Sequence, residues 1–315
     1  MTTIREKFIT TARGRLSLME DFTFKAVFGR ESTSSGMALI DLLNVILDLH
    51  GDDAIKSLTI RNPYIPGDTR ITKESVLDIF TETDKHILIN IEMQNEDYDS
   101  YPDRNLFYGG KVIVSSSLQK GDDYDKMKKT VMITILDSAR YCHGKLLCPF
   151  RIMEEETREQ LSDKLSFLFL QLRAVDTDKP VEQLTPIETF AAYIRYAGDP
   201  DMAEYIGKLL DHGKEYLAAT ESAFDEVSRS DTMVTERDRY YIKMSENKTI
   251  LRERVEKATA DGEKIGEARG QKIGEAQGRK AEQRDIAANM LSMDIDIHTI
   301  SRATGLSEDE IRSLQ

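Results

Sequence analysis

The stretch KESVLDIFTETDKHILINIEMQ, residues 73–94, contains two runs of alternating apolar side chains. Such alternation is typical of half-buried β-strands, because successive side chains point to opposite faces of a sheet. The segment TETDK between the two runs predicts the turn of a hairpin. Each run also presents a carboxylate, Asp78 in the first and Glu92 in the second. The pairing of this hairpin therefore decides whether the two carboxylates form a site.

Strand geometry predicts which side chains share a face. Two sets are expected: Val76, Asp78 and Phe80 on the first strand, and Asn90, Glu92 and Gln94 on the second. In a suitable register Asp78 and Glu92 emerge side by side, where they repel each other unless a cation lies between them. Mg²⁺ is commonly held by one or two carboxylates with water and phosphate oxygens. An ordinary polar strand face is the alternative, although Asp is depleted in strands.

Apolar periodicity predicts a mixed order of helices and strands in the rest of residues 1–175. Helices are expected at 19–29, at 37–49 and from about Pro102 onward. Strands are expected at three further places: 54–65, closed by Asn-Pro, 128–137 and 164–172. From the helix at 37–49 to the strand at 128–137 the order is α, β, β, β, α, β, and it predicts an α/β fold with a mixed central sheet.

Composition divides the chain into four segments. Residues 1–175 form the mixed domain and 176–258 a charged helical subdomain. Residues 259–284 repeat glycine at every fourth position, which costs a helix about 5 kcal/mol relative to alanine. We expect a flexible tether there, with a helix that packs in a homo-oligomer as the alternative.

Residues 285–315 have the spacing of a helix-turn-helix. Ile297 and Ile300 precede a turn at Gly305, and Ser307 with Glu310 predicts a capping box for the last helix. That helix is short and acidic, whereas helices that read DNA are usually basic. A packing or protein-contact element is therefore expected.

The formal net charge of −13 argues against a protein that coats nucleic acid. It leaves room for an acidic nuclease whose carboxylates hold Mg²⁺. The sequence shows no apolar run of about 20 residues and no apolar signal segment, so no membrane association and a cytoplasmic location are expected. Cys142 and Cys148 fit two reduced thiols.

Seven motifs follow one another in order: DFTFKAVFG, LLNVIL, LDI, NIEMQ, YPDRNLFYGGK, QKGDDY and ITILD. In this order and spacing, residues 18–175 resemble the PD-(D/E)XK nuclease family transposases, also called the recombination-promoting nuclease (Rpn) group. The resemblance implies a restriction-endonuclease-like core, a mixed central sheet flanked by helices, followed here by a helical C-terminal extension. It also implies DNA as the partner.

The resemblance assigns roles around the hairpin. Asp78 corresponds to the metal-binding aspartate and Glu92 to the second acidic residue, with Mg²⁺ or Mn²⁺ between them and the Met93 carbonyl as a further ligand. Gln94 stands where the wider superfamily has lysine. An amide can position water or phosphate but cannot act as a strong base.

Because Gln94 replaces that lysine, its positive charge has to come from another residue, and we expect this residue on the helix after the hairpin. Arg104, Tyr108 and Lys111 lie at i, i+4 and i+7, on one face, and resemble the family pattern. The alternative is a surface helix with routine charges, and glycines at 109 and 110 weaken the helix nearer to Lys111 than to Arg104. Lys25 is also a family-like position. Asp41 is a candidate third carboxylate, although an exposed helix position is the more ordinary role.

Three functions remain compatible with these patterns. The first is a metal-dependent DNA endonuclease linked to recombination, mobile elements or defence. The second is a catalytically silent nuclease fold kept as a DNA- or protein-binding module. The third is an assembly or regulatory protein that acts through its helical C-terminal half. The intact Asp78, Glu92 and Gln94 favour the first.

Overall fold

The computed structural model describes residues 15–65, 75–95, 99–116, 118 and 121–314. The chain forms two compact units, Met1–Tyr240 and Tyr241–Gln315. The described helices are α1 (Asp21–Phe28), α2 (Thr33–Leu47), α3 (Tyr101–Ser116), α4 (Pro186–Tyr196), α5 (Ala203–His212), α6 (Lys214–Arg229), α7 (Asp231–Ser292), α8 (Ile297–Thr304) and α9 (Glu308–Arg312). The described strands are β1 (Leu58–Ile60), β2 (Tyr64–Ile65), β3 (Ser75–Val76), β4 (Ile79–Thr83), β5 (Leu88–Gln94), β6 (Thr130–Leu136), β7 (Leu147–Arg151) and β8 (Leu165–Gln171).

The first unit is built on a six-stranded sheet with the order β1-β4-β5-β6-β8-β7. Strands β5, β6 and β8 are parallel, and the other neighbours are antiparallel. Strand β6 is buried along its whole length, as expected for an apolar run at the centre of a sheet. The predicted α/β fold with a mixed central sheet is therefore confirmed. Strands β2 and β3 form a separate antiparallel pair.

The hairpin β4–β5 has the predicted alternation. Ile79 pairs with Ile91, so these side chains point to the same face and join the main core with α1, α2 and the helices α4 to α6. The opposite face carries Phe80 and Leu88, which pack with residues of α3 in a second, smaller cluster. Helix α3 thus covers the face on which the sequence places both carboxylates.

Helix α3 runs unbroken through both of its glycines, although bending or fraying is expected there from propensity. A Cβ at Gly109 would lie 3.1 Å from the ring of Phe167 in β8. Glycine therefore lets the helix approach the sheet closely, and the packing of α3 on β8 outweighs the weak local propensity.

Strand β7 was not expected from the sequence. Pro149 lies in its middle and breaks the usual strand signal, since proline has no N–H to donate to a ladder. Strand β7 lies at the edge of the six-stranded sheet and pairs with β8, so the missing N–H leaves no gap in the sheet. An edge position thus accommodates a residue that a central strand would exclude.

The second unit contains most of α7 and the two short helices α8 and α9. A small core joins α7 to both: Ala287, Ile300, Leu306 and Ile311. The predicted capping box of Ser307 and Glu310 is present, and Gly305 adopts a left-handed φ of 74° at the turn. These contacts give the last 30 or so residues their own packed structure.

The glycine repeat lies inside α7 as continuous helix, and this differs from the expected flexible tether. The five glycines at 262, 266, 270, 274 and 278 face open space, with no atom within 4 Å of an added Cβ.

Within the described residues, no helix combines the length and apolar composition needed to span a bilayer. The four-segment division of the chain stays a proposal.

Candidate active site

The two carboxylates lie at one end of the hairpin β4–β5. Asp78 occupies the bend just before β4 and not the strand interior that the sequence predicts. Because Ile79 pairs with Ile91, the preceding Asp78 lies beside Glu92 in the adjacent strand. Glu92 is 3 % exposed and the Asp78 side chain 16 %. Two largely buried carboxylates therefore share this edge of the sheet.

Glu92 is held by hydrogen bonds on both of its oxygens. The Asn90 amide donates to Oε1 at 3.2 Å, and the Tyr101 hydroxyl donates to Oε2 at 3.1 Å. The Arg104 guanidinium lies 3.8 Å from the same Oε2. The first turn of α3 thus fixes the orientation of the Glu92 carboxylate.

A further layer of polar groups supports Tyr101. Its hydroxyl lies 3.2 Å from Oγ1 of Thr134 in β6, and the Asn105 amide donates to the same Oγ1 at 3.0 Å. All of these groups are buried. Buried polar groups stay paired because an unpaired one costs about 1–3 kcal/mol, so the network holds α3 in one position on the sheet.

Lys25 of α1 bridges two carboxylates. Its ammonium lies 2.9 Å from Asp78 Oδ1 and 2.9 Å from Asp21 Oδ1. Burial opposes its positive charge, but attraction to Asp78 and Asp21 prevails and raises the pKa of Lys25. The lysine is therefore charged throughout the physiological range and supplies a fixed cation at Asp78.

Burial raises the pKa of Glu92, and the negative charge of Asp78 raises it further, while Arg104 acts in the opposite direction. Burial also raises the pKa of Asp78; Lys25 opposes this effect, Asp21 adds to it and Arg104 again opposes it. The fully ionised cluster would carry three negative charges against the two positive charges of Lys25 and Arg104. One net negative charge remains.

The donor set fits a small divalent cation. Asp78 and Glu92 offer carboxylate oxygens, the ligands that Mg²⁺ prefers, in surroundings that disfavour two unneutralised charges. Within the described residues, His, Cys, Asp and Glu form no group of three or more that could hold a metal ion. Backbone, water or substrate oxygens would have to complete the coordination.

The predicted helix face divides into two parts. Arg104 lies over the ring of Tyr108 at 5.0 Å and reaches Glu92, whereas Tyr108 itself is buried in the cluster with Phe80 and Leu88. Lys111 contacts Phe107, with its ammonium 5.4 Å from the ring centroid. Arg104 is thus at the carboxylates, and Tyr108 supports it from the core side.

Of the other predicted site residues, Gln94 and Met93 lie in the hairpin and Asp41 lies on a different element, helix α2. Gln94 ends β5 beside Leu136, and the side chain of Met93 packs into the main core. The role of the Met93 carbonyl stays a prediction. Asp41 lies on α2, where burial raises its pKa to about 6. Within the described residues, no hydrogen bond or ion pair joins Asp41 to Asp78 or Glu92.

Sequence reasoning missed several supporting residues: Asp21, Tyr101, Asn105 and Thr134. One available signal was the spacing of Tyr101, Arg104, Asn105 and Tyr108 at i, i+3, i+4 and i+7. That spacing places the four on one face of α3. The pairing of Lys25 with Asp21 was visible as an i, i+4 pair of opposite charges.

A second charged group lies at the other end of the hairpin. Burial opposes ionisation of Glu82, but hydrogen bonds from Lys128, His86 and Arg61 lower its pKa to about 2. The Lys128 ammonium is 2.7 Å and the His86 Nδ1 3.1 Å from Glu82 Oε1. Its three basic partners make this carboxylate a stabilising group.

A buried Asp–Glu pair at the end of a hairpin in a mixed sheet is the arrangement that the resemblance to the PD-(D/E)XK nucleases implies. Residues 18–260 match the model of the PD-(D/E)XK nuclease family transposases, and the chain belongs to that family. The match extends well beyond residue 175, where the resemblance in the sequence motifs ends.

Residues 280–315 match a second family model, the C-terminal HTH domain of the Rpn/YhgA-like nuclease family. The Rpn resemblance is thereby confirmed. Comparisons with curated proteins and with solved structures give no significant match.

Proposed function

We propose that the protein is a metal-dependent DNA endonuclease that hydrolyses phosphodiester bonds. The observation that carries the proposal is the buried pair of Asp78 and Glu92, one beside Lys25 and the other beside Arg104. PD-(D/E)XK nucleases generally use divalent metals, and this donor set suits Mg²⁺ or Mn²⁺. A degenerate fold would be free to lose such a costly cluster of buried charges.

Asp78 and Glu92, with the Met93 carbonyl, would hold the metal ion. When bound, such an ion lowers the pKa of a coordinated water and polarises the scissile phosphate. Asn90 and Tyr101 keep the Glu92 carboxylate oriented through their two hydrogen bonds. A fixed carboxylate needs no reorganisation when substrate binds, and this favours catalysis.

The cations of the site would act on the substrate. Lys25 and Arg104 are held at the carboxylates and would stabilise the extra negative charge that develops on the phosphate during attack. Gln94 would hydrogen-bond the attacking water or a phosphate oxygen. Tyr108 holds the Arg104 guanidinium by a cation–π contact, and Lys111 would reach the DNA backbone farther along α3.

The C-terminal HTH domain would provide a DNA contact of its own. Its last helix is acidic, so this contact would rely on local groups and not on the overall charge, which is −13. A role in recombination, mobile-element biology or defence follows as the biological setting of this proposal.

Supercoiled plasmid incubated with Mg²⁺ or Mn²⁺ tests the proposal directly. Wild-type protein should nick or linearise the plasmid, and the near-isosteric variants Asp78→Asn and Glu92→Gln should be inactive. Asp103→Asn is a matched control, because Asp103 is an exposed carboxylate on the same helix as Arg104. Equal behaviour of all four proteins would refute the assignment. Plasmid binding without cleavage would favour the silent nuclease fold.

A further inference from the structure

An apolar recess lies beside the candidate active site, on the same face of the sheet. It has a volume of about 230 Å³ and opens to solvent. Side chains from α3, from the loop after β6 and from β7 and β8 line it, chiefly Asn105, Leu106, Tyr141, Phe150, Phe167 and Phe169. No step of the proposed hydrolysis uses this recess.

The sheet register fixes how far the recess lies from the carboxylates. Glu92 of β5 pairs with Thr134 of β6, and Thr134 pairs with Phe169 of β8. Two strand spacings of about 4.8 Å therefore put Phe169 about 10 Å from Glu92 along the sheet. The ring of Tyr101, which holds Glu92, is 6.2 Å from the ring of Phe169. One layer of side chains therefore separates the recess from the carboxylate of Glu92.

Aromatic rings dominate the recess. Phe169 forms its floor, with the ring of Tyr141 at 5.0 Å and the ring of Phe150 at 5.1 Å, both in edge-to-face contact. Phe150 and Leu106 remain exposed at the rim, although each would normally be buried. Exposed aromatic and apolar groups that converge on a recess are typical of a binding site for a flat apolar group.

Positive charge lies at two places along the edge of the recess. The Arg140 guanidinium is 4.9 Å from the Tyr141 ring centroid and pairs at 3.1 Å with Asp99, a fully exposed carboxylate that a phosphate could replace. Arg104 lies on α3 directly before Asn105. A ligand that combines a flat aromatic ring with a negatively charged backbone would satisfy both features. A nucleotide of the DNA substrate has this combination, but its base is accessible to such a recess only when it is unpaired.

We infer that this recess binds an unpaired nucleobase of the DNA, one or two nucleotides from the phosphodiester that is cleaved. The inference rests on the proposed nuclease function and names its preferred substrate class, which is single-stranded or locally unpaired DNA. Phe150 stacks on the base at the rim, Phe169 and Tyr141 support it, and Arg140 attracts the adjoining phosphate.

Oligonucleotide binding without divalent metal tests the inference in full-length protein. The probes carry 2-aminopurine, whose fluorescence falls on stacking, either as a single unpaired bulge in a duplex or within a fully paired duplex. Wild-type protein should bind the bulged probe more tightly and quench it. Stacking on one aromatic side chain accounts for about a 5- to 150-fold change in affinity, so Phe150→Ala should lose at least about fivefold for the bulged probe alone.

Two further variants keep this test interpretable. Phe150→Trp retains a ring and should keep the quenching. Ile152→Ala, an exposed apolar position just past β7 and outside the recess lining, should behave as wild type. Circular dichroism of each variant identifies misfolding, and Leu106→Ala replaces Phe150→Ala if the latter is misfolded.

The outcomes separate the two proposals. Equal affinity for both probes, or equal behaviour of Phe150→Ala and Ile152→Ala, overturns the base site, even where the plasmid is cleaved. The recess would then be assigned to an apolar side chain of a protein partner. Selective binding and quenching without cleavage of either the plasmid or the bulged duplex in Mg²⁺ or Mn²⁺ would support the base site and refute the nuclease function.

Discussion

Replacing Lys25 by methionine removes the fixed cation at Asp78 and keeps a side chain of similar length. At the observed separation of 2.9 Å, the attraction between the two charges is about 1.4 kcal/mol in water and about 6 kcal/mol at an effective dielectric constant of 20. Because Lys25 is 35 % exposed, solvent screening places the interaction toward the lower value. Even that value changes the ionisation equilibrium of Asp78 about tenfold.

The consequence is a change in how activity depends on pH. Burial already raises the pKa of Asp78, and loss of the neighbouring ammonium raises it further. A carboxylate must be ionised to hold a metal, so the acid limb of the pH–rate profile should move up by about one pH unit or more. The variant should therefore lose rate at every pH, because Lys25 also acts on the phosphate, and it should lose about a further tenfold on the acid side.

Initial rates of plasmid nicking between about pH 5 and pH 9, at one fixed Mg²⁺ concentration well below saturation, measure this change. Lys25→Arg keeps the positive charge, so the acid limb of its pH–rate profile should lie where that of the wild type does. Lys85→Met is the matched control, since Lys85 is similarly exposed, at 32 %, and pairs with Asp53 elsewhere. An acid limb that stays in place in Lys25→Met, or that moves equally in Lys85→Met, would refute the electrostatic role of Lys25.

Three further predictions follow from the structure. Tyr101→Phe removes the hydroxyl that orients Glu92, and it should lower kcat/KM about 10- to 100-fold while changing the urea-unfolding free energy by only about 1 kcal/mol; equal kinetics would contradict the orienting role. The pKa of Glu82 is lowered to about 2 from 4.5, so its stabilising effect is complete above pH 4.5 and is lost as the pH falls toward 2. Urea unfolding of Glu82→Gln should therefore show a loss of stability at pH 6 that shrinks toward pH 2, and a loss independent of pH would count against it. The alternative for the glycine repeat, self-association through the open glycines of α7, predicts that deleting 259–284 reduces the mass in light scattering from oligomer to monomer; an unchanged mass would exclude self-association through this segment.

Local patterns predicted the elements that depend on neighbours in the chain. The period of two in residues 73–94 indicated the hairpin and the shared face of its polar residues, because alternation is a property of any extended strand. The capping box of Ser307 and Glu310 was predicted for the same reason, since both partners lie within one turn. Local propensity was less reliable for the glycines of α3 and α7, where the structure is helical.

Short-range periodicity was enough to predict the α/β class and a hairpin that presents two carboxylates, and the family resemblance assigned their roles. The distant groups that meet these carboxylates are visible in the folded chain alone: Lys25 at Asp78, Tyr101 and Arg104 at Glu92, and Thr134 behind Tyr101. It also assigned Pro149 to an edge strand and gathered the aromatic side chains of the recess. These contacts depend on the strand order and on the position at which α3 packs on the sheet. Both are determined by burial of the whole core and not by any local pattern.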